Sequence, residues 1–196
     1  MRLLTKGLGI AFMALIGVAR VSVAQVTEVD VGGTLGFSLP TNDANRLYVP
    51  GWVAGGSVRV VPGTWNFGLQ FDGTYASYNR NNDNISDRGL NILTGTLAVV
   101  YQVELDASPI EPYFLLGGAI NRLSVENPRT IDNYGSQTAF GVVLGGGVAF
   151  KKDRSRIAPL IDFRMLGIFG PDPREGAYIN MSIGLIVLLK GRHQVQ

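Results

Sequence analysis

Five charged side chains sit inside stretches that are otherwise apolar or small: Asp30, Arg59, Asp72, Asp162 and Arg164. Three carboxylates and two guanidinium groups can pair with one another or line an ion path. Histidine and thiolate chemistry is another matter. The chain has no cysteine and one histidine, His193, close to its end. A Ser/His/Asp arrangement, a histidine-based zinc site and a disulfide framework all lack their parts. We therefore assign no catalytic residue, no metal site and no cofactor.

The five charges fall at regular places. In residues 65–77, WNFGLQFDGTYAS, Trp65, Phe67, Leu69, Phe71 and Tyr75 occupy odd positions, while Asn66, Gln70, Asp72, Thr74 and Ala76 occupy even ones. Successive side chains of a strand point to opposite faces, so one face is aromatic and apolar and the other carries the carboxylate. A carboxylate on that face excludes a dry sandwich core unless it is paired. The pattern recurs. Val29, Val31, Leu35 and Phe37 oppose Asp30; Trp52, Ala54, Val58 and Val60 oppose Arg59; Ile161, Phe163 and Met165 oppose Asp162 and Arg164. Counting segments near 28–37, 51–60, 65–77, 89–101, 112–123, 140–150, 157–168 and 177–189 gives eight strands.

Composition agrees with a membrane-crossing sheet. Of 196 residues only 16% are charged, 26 are glycine, and the mean hydropathy is +0.19. Yet no apolar run reaches the ~18 residues of a membrane helix. A barrel resolves this by spreading its apolar surface over alternate positions. Residues 1–24 read as a secretory signal, with Arg2 and Lys6 at the start, an apolar stretch at 7–19 and Ser22-Val23-Ala24 at the cut. The domain expected to remain is 25–196. Taking Arg2, Lys6 and Arg20 from the 17 basic residues leaves 14 against 15 acidic ones, a net of −1. No basic face with interleaved aromatics emerges, so nucleic acid is not an expected partner.

The connections alternate between longer polar loops near 39–50, 78–88, 124–136 and 169–176 and tighter turns near 61–64, 102–110 and 151–156. Tyr48, Trp52, Tyr75, Tyr78, Tyr134, Phe169 and Tyr178 lie near the long loops; Trp65, Tyr101, Tyr113 and Phe150 lie near the tight turns. Two aromatic girdles are expected from this sorting. The fold class is therefore all-β: an eight-stranded, antiparallel, up-and-down transmembrane β-barrel in the bacterial outer membrane, surrounded by its lipids. The rival fold, a soluble lipocalin-like barrel, would turn Asp72 and Arg164 outward to solvent.

The last segment carries the sequence Ser182-x-Gly184-x-x-Val187-x-Leu189. It resembles the polar-x-Gly-x-x-hydrophobic-x-hydrophobic pattern that ends bacterial outer-membrane proteins, with Leu189 where an aromatic is usual. In strand count, loop alternation and this motif the chain resembles small barrels of the OmpA/OmpX type. The resemblance implies recognition by the barrel assembly machinery. Outer-membrane lipid A deacylases, proteases and palmitoyltransferases share the topology but rely on a barrel histidine, which is missing here.

Two further stretches have plain readings. Residues 83–87 offer oxygens to calcium but lack the glycine and terminal glutamate of a calcium loop. Gly145-Gly146-Gly147 has no following Lys-Ser/Thr and sits within a strand, so it marks close packing or curvature, not a phosphate cradle. An eight-stranded lumen is just wide enough for side chains to fill it. The five charges are thus expected to form a salt-bridged plug, with Asp162 and Arg164 pairing to Arg59, Asp72 or Asp30. The function expected is that of a structural or surface-interaction barrel, its loop partner unassigned. A small pore and a lipid-modifying enzyme are the alternatives.

Overall fold

A computed structural model describes residues 28–41, 44, 48–63, 65–79, 89–103, 105, 108–125, 136–151, 155–170 and 176–190. The assigned signal at 1–24, the acidic stretch 83–87, Tyr134 and His193 lie outside the described residues.

The strands are β1 (Glu28–Pro40), β2 (Gly51–Val61), β3 (Phe67–Tyr78), β4 (Leu90–Gln102), β5 (Ile110–Val125), β6 (Gln137–Phe150), β7 (Ile157–Phe169) and β8 (Gly176–Lys190). Each pairs antiparallel with the next, and β8 returns to β1, closing the barrel without a sheet edge. At 11 to 16 residues every strand meets or exceeds the ~9–11 that a tilted crossing needs. Several boundaries differ from the sequence reading: β1 runs on to Pro40, β5 spans Ile110–Val125 and β6 begins at Gln137. Trp65 precedes β3, with its N–H bonded to the Pro62 carbonyl in the turn.

The register fixes the barrel's geometry. Neighbours run from Val29 through Val60, Leu69, Val99, Leu116, Leu144, Met165 and Ile179 back to β1 at Leu39. One circuit therefore advances ten residues along β1, a stagger that tilts the strands by about 35–45°. Every residue on this circuit is apolar, because all of them point outward.

The two faces of the wall have opposite character. Phe37, Leu69, Leu97, Phe114, Phe140 and Ile183 are exposed on the outside, whereas Asp30, Arg59, Asp72, Asp162 and Arg164 are buried inside. A lipocalin-like arrangement would be the reverse. Two apolar clusters share the interior. One, toward the long loops, includes Tyr78, Leu90, Ile92, Leu123 and Tyr178. The other, toward the tight turns, includes Val100, Tyr113, Leu115, Leu160 and Ile186.

The aromatic girdles need correction. Tyr48, Tyr78, Tyr113 and Tyr178 are buried and fill the interior instead of meeting lipid. Parity decides it for the strand residues: Tyr78 shares a face with Asp72, and Tyr178 with Ser182. Trp52 and Tyr75 do pack outside near the long loops, ring centroids 5.4 Å apart. Phe67 and Tyr101 pack outside near the tight turns at 4.8 Å.

The connections also depart slightly from expectation. The β1–β2, β3–β4 and β5–β6 loops run 10, 11 and 11 residues, but β7–β8 has only six, as few as the β6–β7 turn. Gly170 and Gly176 bracket that short loop with positive φ angles of 154° and 152°, where glycine is favoured.

Candidate functional site

The interior polar groups form crossbars between walls that face each other. In an eight-stranded ring β3 and β7 are diametrically opposite. Arg164 on β7 reaches across to Asp72 on β3, Nη1 to Oδ2 at 3.0 Å. Its Nε also donates to Asp162 Oδ1, two residues back on its own strand, at 2.6 Å. A guanidinium suits this task because its fork can serve two carboxylates at once.

Neighbouring groups hold those carboxylates. Gln70 Nε2 donates to Asp72 Oδ1 at 2.7 Å, and Arg59 Nε donates to Gln70 Oε1 at 2.8 Å. The Tyr113 hydroxyl donates to Asp162 Oδ2. The Arg59 guanidinium lies 4.3 Å above the Tyr113 ring, a cation–π contact. A continuous path of contacts thus runs Arg59–Gln70–Asp72–Arg164–Asp162–Tyr113 and returns to Arg59.

Glycine makes the room. In the register Gly147 stands opposite both Tyr113 and Asp162, and Gly145 opposite Arg164. A Cβ on Gly147 would sit 2.6 Å from the Tyr113 hydroxyl oxygen and 2.3 Å from the Ile161 carbonyl oxygen. A Cβ on Gly145 would meet Arg164 Cγ at 2.9 Å. The glycine run in β6 is therefore a close-packing site beneath the bulkiest lumenal side chains.

A second crossbar closes the tight-turn rim. Lys151, just after β6, places its ammonium 2.5 Å from Glu28 Oε1 on β1 and 2.9 Å from Glu111 Oε2 on β5. Those two strands are again opposite walls. Burial pushes the Lys151 pKa down, but the Glu111 and Glu28 carboxylates outweigh it and hold the group above the ordinary lysine value. At the long-loop end Ser38 on β1 bonds Tyr78 on β3 and Asn180 on β8, and Tyr78 packs against Tyr178 at 5.3 Å.

The five charges read from sequence all lie in the lumen, but they do not form one set. Asp72, Asp162 and Arg164 meet. Arg59 joins them through Gln70 and Tyr113, with no ion pair to Asp162. Asp30 stands opposite Arg59 in the β1–β2 register, but its carboxylate oxygens and Arg59 Nη1 have no hydrogen-bond partner. Sequence reasoning missed Lys151, Glu28 and Glu111, which look like ordinary rim charges. Their signal was parity: Glu28 shares the face of Asp30, and Glu111 that of Tyr113. Ser182, Gly184, Val187 and Leu189 lie in β8 beside β1, Ser182 opposite Gly36 and Val187 opposite Val31.

No family model matches this chain, and no curated protein does. Solved structures do. A major outer membrane protein from Thermus thermophilus has 14% identity and a TM-score of 0.56, over 83% of this chain and 99% of that one. OprG from Pseudomonas aeruginosa has 11% identity and a TM-score of 0.56, over 83% and 96%. Neisserial surface protein A has 16% identity and a TM-score of 0.53, over 82% and 96%. At such identities the likeness is one of fold. That likeness, with the lipid-facing exterior and the inward charges, makes the chain by fold a small eight-stranded transmembrane β-barrel of the bacterial outer-membrane kind.

Proposed function

We propose that the protein is a structural barrel of the outer membrane, with a lumen shut by its own side chains and loops displayed at the cell surface. The observation that carries this is the Arg164–Asp72 bridge, which joins opposite walls within an interior that also holds two apolar clusters and further buried polar side chains. Strands with paired, buried charges brace the wall. The tight turns and both mature termini face the periplasm. The Ser182, Gly184, Val187, Leu189 strand is the segment offered to the assembly machinery. Conductance of the refolded barrel in planar bilayers tests the reading: silence supports it, and steady open steps at neutral pH would overturn it.

A small pore is the second reading, favoured by one observation. Each crossbar depends on a single cationic side chain, Arg164 or Lys151, so one group's withdrawal would unlock each level. Under that reading conductance appears in Arg164→Ala combined with Lys151→Ala. An enzymatic role has less support, since the strands contain no histidine or cysteine.

A further inference from the structure

The outer face of the wall carries a charge at the long-loop end. Among the strand side chains described, Arg122 on β5 is the one charge on the outward face; its neighbours Asn121 and Leu123 are fully buried on the inner face. A lipid-facing arginine is costly at the bilayer midplane and tolerated near an interface. The register places Arg122 at such a boundary, between Leu93 on β4 and Thr138 on β6. Toward the tight turns the next outward residues are Ile120 and Phe140, both exposed and apolar. Toward the long loops they are Asn91 opposite Ser124, with Ser136 just before β6. The Arg122 guanidinium is held by Nε donation to Ser136 Oγ at 2.8 Å, and Ser124 Oγ lies 3.5 Å from the same oxygen. Among the described residues no carboxylate forms an ion pair with it.

We propose that Arg122, with the hydroxyls of Ser124, Ser136 and Thr138, binds the phosphate of a membrane-lipid headgroup. A guanidinium fork matches phosphate oxygens two at a time. With Nε turned to Ser136, the edge formed by Nη1 and Nη2 is the one offered to the ligand. The hydroxyls supply further donors to the remaining phosphate oxygens. A lipid fits better than a free anion because of what lies beneath. A phosphate at the level of Arg122 lays its acyl chains along Ile120, Phe140 and Leu93, which are exposed on the wall. The outer leaflet follows from the loops being displayed at the cell surface and rests on that reading, whereas the phosphate contact itself does not.

The test is native mass spectrometry of the refolded full barrel in detergent, titrated with diphosphoryl lipid A, where neither orientation nor conductance enters. Arg122→Ala removes an exposed side chain, so it should fold, with heat-modifiable migration as the check. Its binding should weaken about tenfold, through loss of one bidentate charge-assisted contact. Arg122→Lys keeps the charge but not the fork and should fall between the two. Arg156→Ala, in the turn at the opposite rim, should bind as the parent does. Equal affinity of the parent and Arg122→Ala, an equal loss in Arg156→Ala, or equal binding of dephosphorylated lipid A would overturn the site. Inorganic phosphate that displaces the lipid at equal concentration would also overturn it, since the acyl chains would then contribute nothing. Failure of the structural-barrel reading would show instead as conductance in planar bilayers, with this pattern of affinities unchanged.

Discussion

Arg164 is bonded to carboxylates on its own strand and on the opposite wall, so removing it strands both Asp72 and Asp162 in a buried setting. Arg164→Ala should cost about 3–5 kcal/mol, the usual penalty for leaving buried charge uncompensated. Arg156→Ala, at an exposed turn position, should stay within ~0.5 kcal/mol. Urea unfolding of both variants checks the pair, and equal losses would count against the network. Lys151 adds a pH dependence. Its pKa is raised in the fold, so its contribution is complete below the ordinary lysine value of 10.5 and is lost as pH climbs through the raised value. The stability advantage of the parent barrel over Lys151→Gln should therefore shrink as pH rises through that range. If the difference between the two barrels instead grows with alkaline pH, the rim bridge is misassigned.

Among the elements, β6 carries a glycine run whose composition is dictated by its lumenal neighbours. Gly145 and Gly147 face Arg164, Tyr113 and Asp162, whereas Gly73 in β3 faces outward with nothing within 4 Å of an added Cβ. Gly147→Ala should cost about 1–3 kcal/mol through overpacking. Gly73→Ala should be neutral or mildly stabilising, since its methyl enters lipid. Comparable effects at the two sites, read from thermal unfolding in detergent, would contradict the packing role. The strands themselves were readable from sequence because period-two alternation survives wherever one face is apolar. The girdle assignment failed for a physical reason. Tyrosine is amphipathic, so nearness to a rim does not say which face it takes, and only parity along β3, β5 and β8 does. Glu28, Glu111 and Lys151 escaped notice because closure brings them together over long sequence distances, while each alone resembles a solvated charge.

For the whole molecule, the decisive features are the ten-residue stagger and the opposition of β3 to β7 and β1 to β5, which turn scattered charges into crossbars. Strand count and loop alternation were enough to anticipate closure. The partners inside were not, because register across eight strands is set by turns and packing that no local pattern encodes. The central claim is a lipid-facing wall around a dry, filled lumen. Its most direct test is paramagnetic broadening of methyl signals along β4 in detergent micelles, using one lipid-soluble and one water-soluble agent. The methyls of Leu93, Leu97 and Val99, exposed on the wall, should broaden with the lipid-soluble agent. Those of Thr96, Ala98 and Val100, buried inside, should respond to neither. Broadening of Thr96, Ala98 and Val100 by the water-soluble agent would instead reveal a water-filled channel and contradict the closed barrel.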